Sequence, residues 1–585
     1  MDSEADWRRR FRAPRLTLPS WARDEADRLI YRSNAGGKWE VYEWDRAADT
    51  HRRVTDRSEG TVWAALQPDG ERIWWFDDER GNEFGHWVSE PFGGGAPEPV
   101  APRLADAYQA GLALGRGLAV IGRSDDDGTH VHAVGPGRVP HLLYAHAEQA
   151  EVAGLSRDGE LLCLLHSEHG DSRHPALRVL TLEGTTVGDL WDGEGFGLHD
   201  PAWSRVQGDR RILGLHEREG LLRPFIWAPE GGARRDISLD LPGDVWASWY
   251  PYGRGLLIGH GHRGRGELFR YDLESGALDP LPVEPGTVLG AEVRPNGEVW
   301  YAWTRASIPP EVRAGRRVLL RPPGEPAPGG VAYSDVDAGG VHGFLAEPTD
   351  RSRPHPTLFL IHGGPDSHDV DAFSPQVQAW VDHGFAVVMA NYRGSSGYGK
   401  AWRDAITGNP GLTELEDIAH VHDHVVRAGI ADPARIVLSG ASWGGYLTLL
   451  GLALQPERWS LGIAGVPVAD YVAAFEDEME PLKAYDRALF GGGPEEIPDV
   501  YRDRSPITFV DRVRVPVLIL AGHNDPRCPI RQIEHYITRL EELGRPHEVY
   551  RYEAGHGSLV IDEVIRQLEV QLDFASRHLG TVRPL

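Results

Sequence analysis

The chain of 585 residues contains only two cysteines, Cys163 and Cys528, and three methionines. Two thiols far apart in the sequence provide neither a disulfide framework nor a cysteine-based metal site, and they are typical of a reducing compartment. The chain has no apolar run long enough to span a bilayer, and its charged first residues lack the apolar segment of a signal peptide. We therefore expect a cytoplasmic protein with no membrane partner.

Positive charge is also scarce. The sequence has 61 lysine and arginine residues against 87 acidic ones, which gives a formal net charge of −26. A surface of this sign repels nucleic acid and anionic membranes, so we expect neither as a partner. The contents of apolar (41%) and charged (25%) residues are typical of a soluble globular protein, and the length exceeds that of one domain.

Residues 15–320 contain a weak internal repeat, in which a turn rich in Asp, Gly, Pro or Arg precedes an apolar strand. Its copies are marked by Leu29, Ile73, Leu118, Leu161, Ile212, Leu256 and Val299. Neighbouring copies lie 43 to 51 residues apart, which is the spacing of β-propeller blades. We predict a seven-bladed propeller over 15–320 after an N-terminal extension of 1–14. The alternative is a pair of β-sandwiches with similar turns.

The composition changes at residue 321. Residues 321–330 are rich in proline and glycine and are predicted to be a linker. Beyond them, over 331–585, strand patterns alternate with helical patterns. This alternation predicts an α/β-hydrolase domain with a doubly wound, mostly parallel sheet.

A G-x-S-x-G motif lies within residues 440–446, between an apolar strand pattern and an apolar helix pattern. In this context the motif holds a nucleophilic serine in a tight, exposed turn, so Ser442 is the predicted nucleophile. Asp525 and His556 each follow a later predicted strand, in the Ser–Asp–His order of α/β hydrolases. Alone, each is more typical of a turn or loop. Together they predict that His556 is the general base and that Asp525 orients it.

A second loop, His362-Gly363-Gly364-Pro365, follows the apolar strand pattern of residues 358–361. Loops of the H-G-G type offer a backbone N–H group to the oxyanion formed during acyl transfer. We predict that this donor is Gly364, because glycine permits a close approach to the substrate. The second predicted donor is the N–H of Trp443, which follows the nucleophile.

Residues 468–480 follow a predicted strand end on the catalytic side and are expected to line a substrate pocket. Tyr471 and Phe475 are the predicted apolar walls. We assign Glu476 and Asp477, with Glu478 and Glu480 as neighbouring alternatives, to a free α-ammonium group of the substrate. An enzyme for N-acylated substrates should avoid such charge, because unpaired buried carboxylates are costly. The competing interpretation is a solvated acidic helix.

One helical pattern carries His420 and His424 four residues apart, a spacing that can share a metal ion. The surrounding residues match no metallohydrolase spacing and suggest a charged helix face. We therefore expect no metal and no cofactor.

Five segments together resemble the prolyl oligopeptidase family of serine peptidases: residues 362–365, 391–399 (NYRGSSGYG) and 440–446, Asp525, and residues 555–557. The resemblance spans nearly the whole chain and is nearest to the acylaminoacyl peptidase branch, whose oxyanion donors would fall on Gly364 and Trp443. Prolyl oligopeptidase itself and the dipeptidyl peptidases carry a tyrosine where His362 stands. The resemblance implies hydrolysis of short peptides or aminoacyl amides, with the propeller restricting the entry of folded proteins.

The functional hypothesis is a serine exopeptidase or amidase that acts from the N-terminal end of its substrate through an acyl-enzyme on Ser442. The alternatives are an acylaminoacyl peptidase and an esterase or antibiotic-inactivating amidase on the same scaffold. A propeller binding module with an inactive hydrolase domain is the non-enzymatic alternative. The sequence leaves a homo-oligomer open.

Overall fold

The computed structural model describes residues 4–135 and 139–580, and the first 28 strands in them form seven antiparallel units of four consecutive strands. Units 1 to 4 consist of β1 Ser20–Trp21, β2 Arg28–Ser33, β3 Glu40–Asp45 and β4 Thr50–Arg53; β5 Ala64–Leu66, β6 Arg72–Asp78, β7 Phe84–Pro91 and β8 Glu98–Pro99; β9 Ala107–Gly115, β10 Leu118–Asp125, β11 Gly128–Val134 and β12 His141–His146; and β13 Ala150–Leu155, β14 Leu161–Asp171, β15 His174–Thr181 and β16 Thr186–Leu190. Units 5 to 7 consist of β17 Leu198–Trp203, β18 Ile212–His216, β19 Arg223–Ala228 and β20 Ala233–Asp236; β21 Asp244–Trp249, β22 Gly255–His262, β23 Arg265–Asp272 and β24 Leu278–Pro280; and β25 Thr287–Val293, β26 Val299–Arg305, β27 Ile308–Ala314 and β28 Arg317–Leu320.

The seven residues that mark the sequence repeat all lie in the second strand of a unit, namely β2, β6, β10, β14, β18, β22 and β26. The repeat therefore corresponds to one four-stranded blade, and the predicted propeller is confirmed over the sandwich alternative. Blades 2 and 3 share one sheet through the pairing of β7 with β9. The first and last blades meet in an apolar cluster in which Trp44 stacks on Trp300 at 6.1 Å.

The remaining strands form one eight-stranded sheet in the order β29-β30-β32-β31-β33-β34-β35-β36. They are β29 Ser334–Ala338, β30 Val341–Ala346, β31 His355–Ile361, β32 Ala386–Asn391, β33 Ala431–Ala441, β34 Leu461–Gly465, β35 Val517–Gly522 and β36 His547–Tyr552. The two pairings of β30 are antiparallel, whereas every later pairing is parallel. The predicted α/β-hydrolase domain with its mostly parallel sheet is confirmed.

Ten α-helices and two 3₁₀-helices are assigned in the described residues. The helices are α1 Asp6–Arg12, α2 Pro375–Asp382, α3 Lys400–Arg403, α4 Leu412–Arg427, α5 Trp443–Leu454, α6 Tyr471–Asp477, α7 Glu480–Phe490, α8 Pro498–Arg504, α9 Ile530–Glu542 and α10 Ile561–Leu579, and the 3₁₀-helices are Asp404–Ile406 and Pro506–Arg512. Helix α5 is apolar on almost every side and is buried against the sheet, as expected for a helix without a polar face. No helix in the described part of the chain combines the length and apolarity needed to cross a bilayer.

Helix α1 lies in the predicted N-terminal extension but packs on the α/β domain. Its Trp7 and Phe11 are buried in the apolar core that also contains residues of α2 and α10. Arg8 pairs with Glu569 at 2.8 Å, and Arg10 pairs with Asp382. The start of the chain thus joins the second domain across the propeller sequence.

Candidate active site

Ser442 lies in the tight turn between β33 and α5, at the N-cap of the helix. Its backbone has φ 57° and ψ −123°, a conformation that non-glycine residues adopt at a cost and that occurs at functional sites. A Cβ atom at Gly440 would come within 2.5 Å of the Gly444 backbone, and one at Gly444 within 2.1 Å of the Ile361 oxygen. Only glycine fits at either position, which explains the G-x-S-x-G motif.

Asp525 and His556 form a hydrogen-bonded pair beside this turn. The Nδ1 atom of His556 lies 2.8 Å from one carboxylate oxygen of Asp525 and 3.1 Å from the other. The backbone N–H groups of Arg527 and Cys528 donate to Asp525 Oδ1, each at 2.9 Å. These donors hold a buried carboxylate in place, and the carboxylate leaves Nε2 of His556 as the proton-accepting nitrogen.

In the described residues, the predicted nucleophile Ser442 and the predicted base His556 are not hydrogen-bonded to each other. The nearby thiol of Cys528 is buried. Burial raises the pKa of this thiol well above its usual value, so Cys528 stays a neutral neighbour and not a nucleophile. Catalytic hydrogen bonds of this kind often tighten only when substrate binds.

Two backbone N–H groups, those of Gly364 and Trp443, are free to receive an oxyanion. Neither has a hydrogen-bond partner within residues 4–135 and 139–580. A Cβ atom at Gly363 would lie 3.3 Å from the Ser442 Cβ and 3.8 Å from the Trp443 nitrogen. The predicted loop therefore runs directly alongside the nucleophile.

His362 orients the peptide between Gly363 and Gly364. Its Nδ1 donates to the Gly363 oxygen at 2.8 Å, and its Nε2 accepts from the Ser395 hydroxyl at 2.8 Å. Because C=O and N–H point in opposite directions in a planar trans peptide, holding the carbonyl aims the Gly364 N–H away from His362. Burial lowers the pKa of His362 to about 4, so the ring is neutral near pH 7 and keeps this pattern.

We expect His362→Ala to lower kcat by about 10²-fold, because one oxyanion donor loses its fixed direction. Steady-state kinetics on an aminoacyl p-nitroanilide measures this effect. His362→Asn is the matched variant, since an amide nitrogen can take the place of Nδ1, and it should recover part of the loss. An equal loss in both variants, or a change in KM alone, would contradict the positioning role.

The propeller supports both triad loops. Glu83, in the turn before β7, pairs with Arg527 at 2.8 Å, two residues after Asp525. The backbone of Gly81 contacts that of Gly555, where an added Cβ atom would come within 1.9 Å of the Gly81 oxygen. Both triad loops therefore contact the same turn of blade 2.

The predicted apolar walls of the pocket are buried beside the nucleophile. Tyr471 packs edge-on against Phe490 at 4.9 Å between ring centroids, and it also contacts Trp443 at 6.4 Å. Phe475 packs edge-on against Tyr501 at 5.7 Å. These rings form an aromatic cluster that reaches Trp443, the residue after Ser442, and their contact with substrate stays a prediction.

The assignment of Glu476 and Asp477 to a substrate ammonium group is corrected by the structure. Both carboxylates pair with Arg531 on the solvent side of α6, at 2.7 and 2.5 Å, and the Glu476 side chain is 61% exposed. The acids that do face inward are Glu478 and Asp486. The sequence contains one signal for the second: Asp486, Leu489 and Phe490 are the buried positions of α7, so an acid occupies its apolar stripe.

Residues 371–582 match the prolyl oligopeptidase family. The acylamino-acid-releasing enzyme of Rattus norvegicus is 26% identical over 345 residues, which cover 53% of this chain and 47% of the rat enzyme. The chain thus matches less than half the length of this relative.

Two solved structures share the whole fold. A Mycobacterium tuberculosis puromycin-hydrolyzing peptidase superposes with a TM-score of 0.82 at 20% identity, covering 100% of this chain and 98% of the other. The acylaminoacyl peptidase of Pyrococcus horikoshii superposes with a TM-score of 0.72 at 15% identity, covering 100% and 99%. At these identities the likeness establishes the two-domain architecture.

Proposed function

We propose that this chain, whose residues 371–582 belong to the prolyl oligopeptidase family, is a serine peptidase or amidase that hydrolyses short peptides or aminoacyl amides from their N-terminal end. The observation that carries the proposal is the combination of a strained serine in a strand-to-helix turn, a histidine oriented by a carboxylate, and two N–H groups without a partner in the described residues. These are the parts that acyl transfer requires.

The reaction follows from the geometry of these groups. Ser442 Oγ attacks the substrate carbonyl carbon while Nε2 of His556 takes its proton. In the proposed reaction the oxyanion accepts hydrogen bonds from the N–H groups of Gly364 and Trp443. Collapse of this intermediate expels the amine, which takes the proton from His556. Water then attacks the acyl-enzyme by the same steps and releases the acid.

The preference for short substrates is supported by the contacts between the domains. Blade 1 pairs with the segment after His556, where Trp39 donates to the Leu559 oxygen at 3.0 Å and Ile561 donates to the Gly37 oxygen at 2.8 Å. With Glu83 bound to Arg527, the propeller covers the face that carries the triad loops. We infer that these contacts favour short peptides over folded protein chains as substrates.

The finer proposal is that the substrate has a free amino terminus, for which the inward-facing acids are the support. We expect kcat/KM for an aminoacyl p-nitroanilide to exceed that for its N-acetylated form by about tenfold, equivalent to about 1.4 kcal/mol. Ser442→Ala is the control for a contaminating enzyme. A preference for the acetylated substrate would instead establish an acylaminoacyl peptidase.

A second candidate is an amidase that removes an aminoacyl group from a nucleoside antibiotic. It is favoured by the fold shared with the puromycin-hydrolyzing peptidase over the full length of both chains. Such a substrate is itself an aminoacyl amide, so the same residues would act on it. Comparison of kcat/KM for puromycin with that for dipeptides and simple esters separates the two functions.

A further inference from the structure

Two acidic side chains of the α/β domain, Glu478 and Asp486, are buried without a cation. They are 5% and 6% exposed. No hydrogen bond or ion pair to either side chain is found among the described residues, and Glu478 Oε1 and Asp486 Oδ2 are enclosed without any partner. An unpaired buried charge is costly, so a protein keeps such a pair either as neutral acids or as the counter-charge of a ligand.

The pair lies near two loops of the candidate active site, the loop of Asp525 and the oxyanion loop. The backbone N–H of Met479 donates to the Pro526 oxygen at 3.0 Å, which places Glu478 against the loop of Asp525. Helix α7, which carries Asp486, is held at the oxyanion loop, where the Tyr485 hydroxyl donates to Asp366 at 3.0 Å.

Cys528 links the pair to the loop of Asp525. Both carboxyl groups contribute to the raised pKa of its thiol, and its backbone N–H donates to Asp525 Oδ1 at 2.9 Å. The two acids therefore lie near the loop that orients His556.

Aromatic rings lie near the two acids. Both acids act electrostatically on Tyr471 and Tyr501, whose rings contact each other. The Tyr501 ring also contacts Phe475, and the faces of aromatic rings attract cations. The two nearest basic groups are engaged elsewhere: Lys483 pairs with Glu480 at 2.6 Å, and Arg487 stacks over Phe475 at 5.1 Å. Among the described residues, no lysine, arginine or histidine forms an ion pair with either acid.

The buried positions of Asp486 and Glu478 favour the protonated, neutral form of both carboxyl groups. Burial raises the pKa of Asp486 to about 8, and burial together with the nearby Asp486 raises that of Glu478 well above its usual value. A cation that enters must therefore displace a proton, and it binds more tightly as the pH rises towards these values. The titratable or charged groups around the pair are Tyr446, Tyr471, Glu480, Lys483, Tyr485, Arg487, Tyr501, Asp525 and Cys528.

We propose that Glu478 and Asp486 bind the cationic group of the acyl residue of the substrate, a primary ammonium adjacent to the carbonyl that Ser442 attacks or at the end of its side chain. This inference rests on the proposed peptidase function. It assigns the substrate cation to the buried pair, of which Asp486 belongs to α7. The exposed acids of α6, Glu476 and Asp477, no longer have this role.

Four p-nitroanilides separate the two sources of the ammonium group: free and N-acetylated norleucine, and free and N-acetylated lysine. The kcat/KM ratio of free to acetylated norleucine reports on an α-ammonium group, and that of acetylated lysine to acetylated norleucine reports on a side-chain ammonium group. We expect one of these ratios to be at least about tenfold in the native chain. Glu478→Gln and Asp486→Asn should each lower that ratio by about tenfold.

Glu476→Gln and Asp477→Asn are the matched controls, because they remove exposed carboxylates of the same types that are bound to Arg531. Their ratios should equal those of the native chain. Labelling of Ser442 by a fluorophosphonate shows whether each variant retains a folded site, and ratios are compared only among labelled variants.

A binding measurement keeps the inference testable without turnover. By calorimetry, n-butylguanidinium should bind the native chain about tenfold more tightly at pH 9 than at pH 6, whereas its neutral isostere N-butylurea should not. Absence of cleavage and labelling with cation binding retained contradicts the peptidase function alone. Cleavage with no effect of the variants on either ratio, and with pH-independent guanidinium binding, overturns the cation site and leaves a protonated structural pair.

Discussion

Ser442→Ala is expected to lower kcat on the preferred p-nitroanilide by about 10⁵- to 10⁶-fold. The hydroxyl is the only group that forms the acyl-enzyme, and removing it leaves just the weak catalysis that the N–H groups of Gly364 and Trp443 and substrate binding can provide. KM should change far less, since the side chain is small and the pocket remains. Steady-state kinetics with a large amount of purified variant measures the residual rate.

The matched control is Cys528→Ala, which removes the buried thiol near Ser442. A fluorophosphonate should label the native chain and Cys528→Ala, but not Ser442→Ala. If Ser442→Ala kept about a tenth of the activity and Cys528→Ala lost it, the thiol and not the hydroxyl would be the nucleophile.

Asp525→Asn is expected to lower kcat by about 10⁴-fold. Asp525 Oδ1 accepts the backbone N–H groups of Arg527 and Cys528, each at 2.9 Å, so an asparagine oxygen is held at that position. Its NH₂ group then faces Nδ1 of His556, where Asp525 Oδ2 now lies at 2.8 Å. A donor there requires Nδ1 to accept, which moves the ring proton to Nε2, and His556 can no longer take the proton of Ser442.

Kinetics of Asp525→Asn beside Asp511→Asn, an exposed aspartate on the same domain, gives the measurement and its control. The thermal midpoint of both variants shows whether the fold is kept. We expect it to be unchanged for Asp525→Asn, because the substitution preserves the shape of the side chain and its two backbone hydrogen bonds. A loss of less than about tenfold in a folded Asp525→Asn variant is incompatible with a histidine oriented by this carboxylate.

Local sequence patterns were sufficient for much of the architecture. The repeat marked by residues such as Leu29 and Ile73 identified the second strand of every blade, because that strand is an apolar, largely buried run that follows a turn of similar composition in each blade. The strand ends at Ser442, Asp525 and His556 were recognisable for a related reason. Parallel strands are continuous apolar runs, and the residues that follow them must lie at one edge of the sheet.

The substrate pocket could not be read from local patterns in the same way. Glu476, Asp477 and Glu478 are consecutive in the sequence, yet the first two face Arg531 and solvent while the third is buried. Helix α6 ends at Asp477, and the backbone turns there so that Met479 can bond to Pro526. Which acid turns inward depends on a contact with a loop almost fifty residues away in the chain, and no local pattern encodes it.

The sequence by itself determined the two folds, the nucleophile elbow and the order of the triad, since each depends on neighbours in the chain: strand against turn, glycine against serine. Only the tertiary structure decided the contacts of Glu83 with Arg527 and of His362 with the Ser395 hydroxyl, and the burial of Asp486. These contacts join separate segments, and the packing of whole domains selects them. The residues proposed for the chemistry at the serine are therefore recognisable from local sequence. The residues proposed for substrate binding depend on contacts between segments that are distant in the chain.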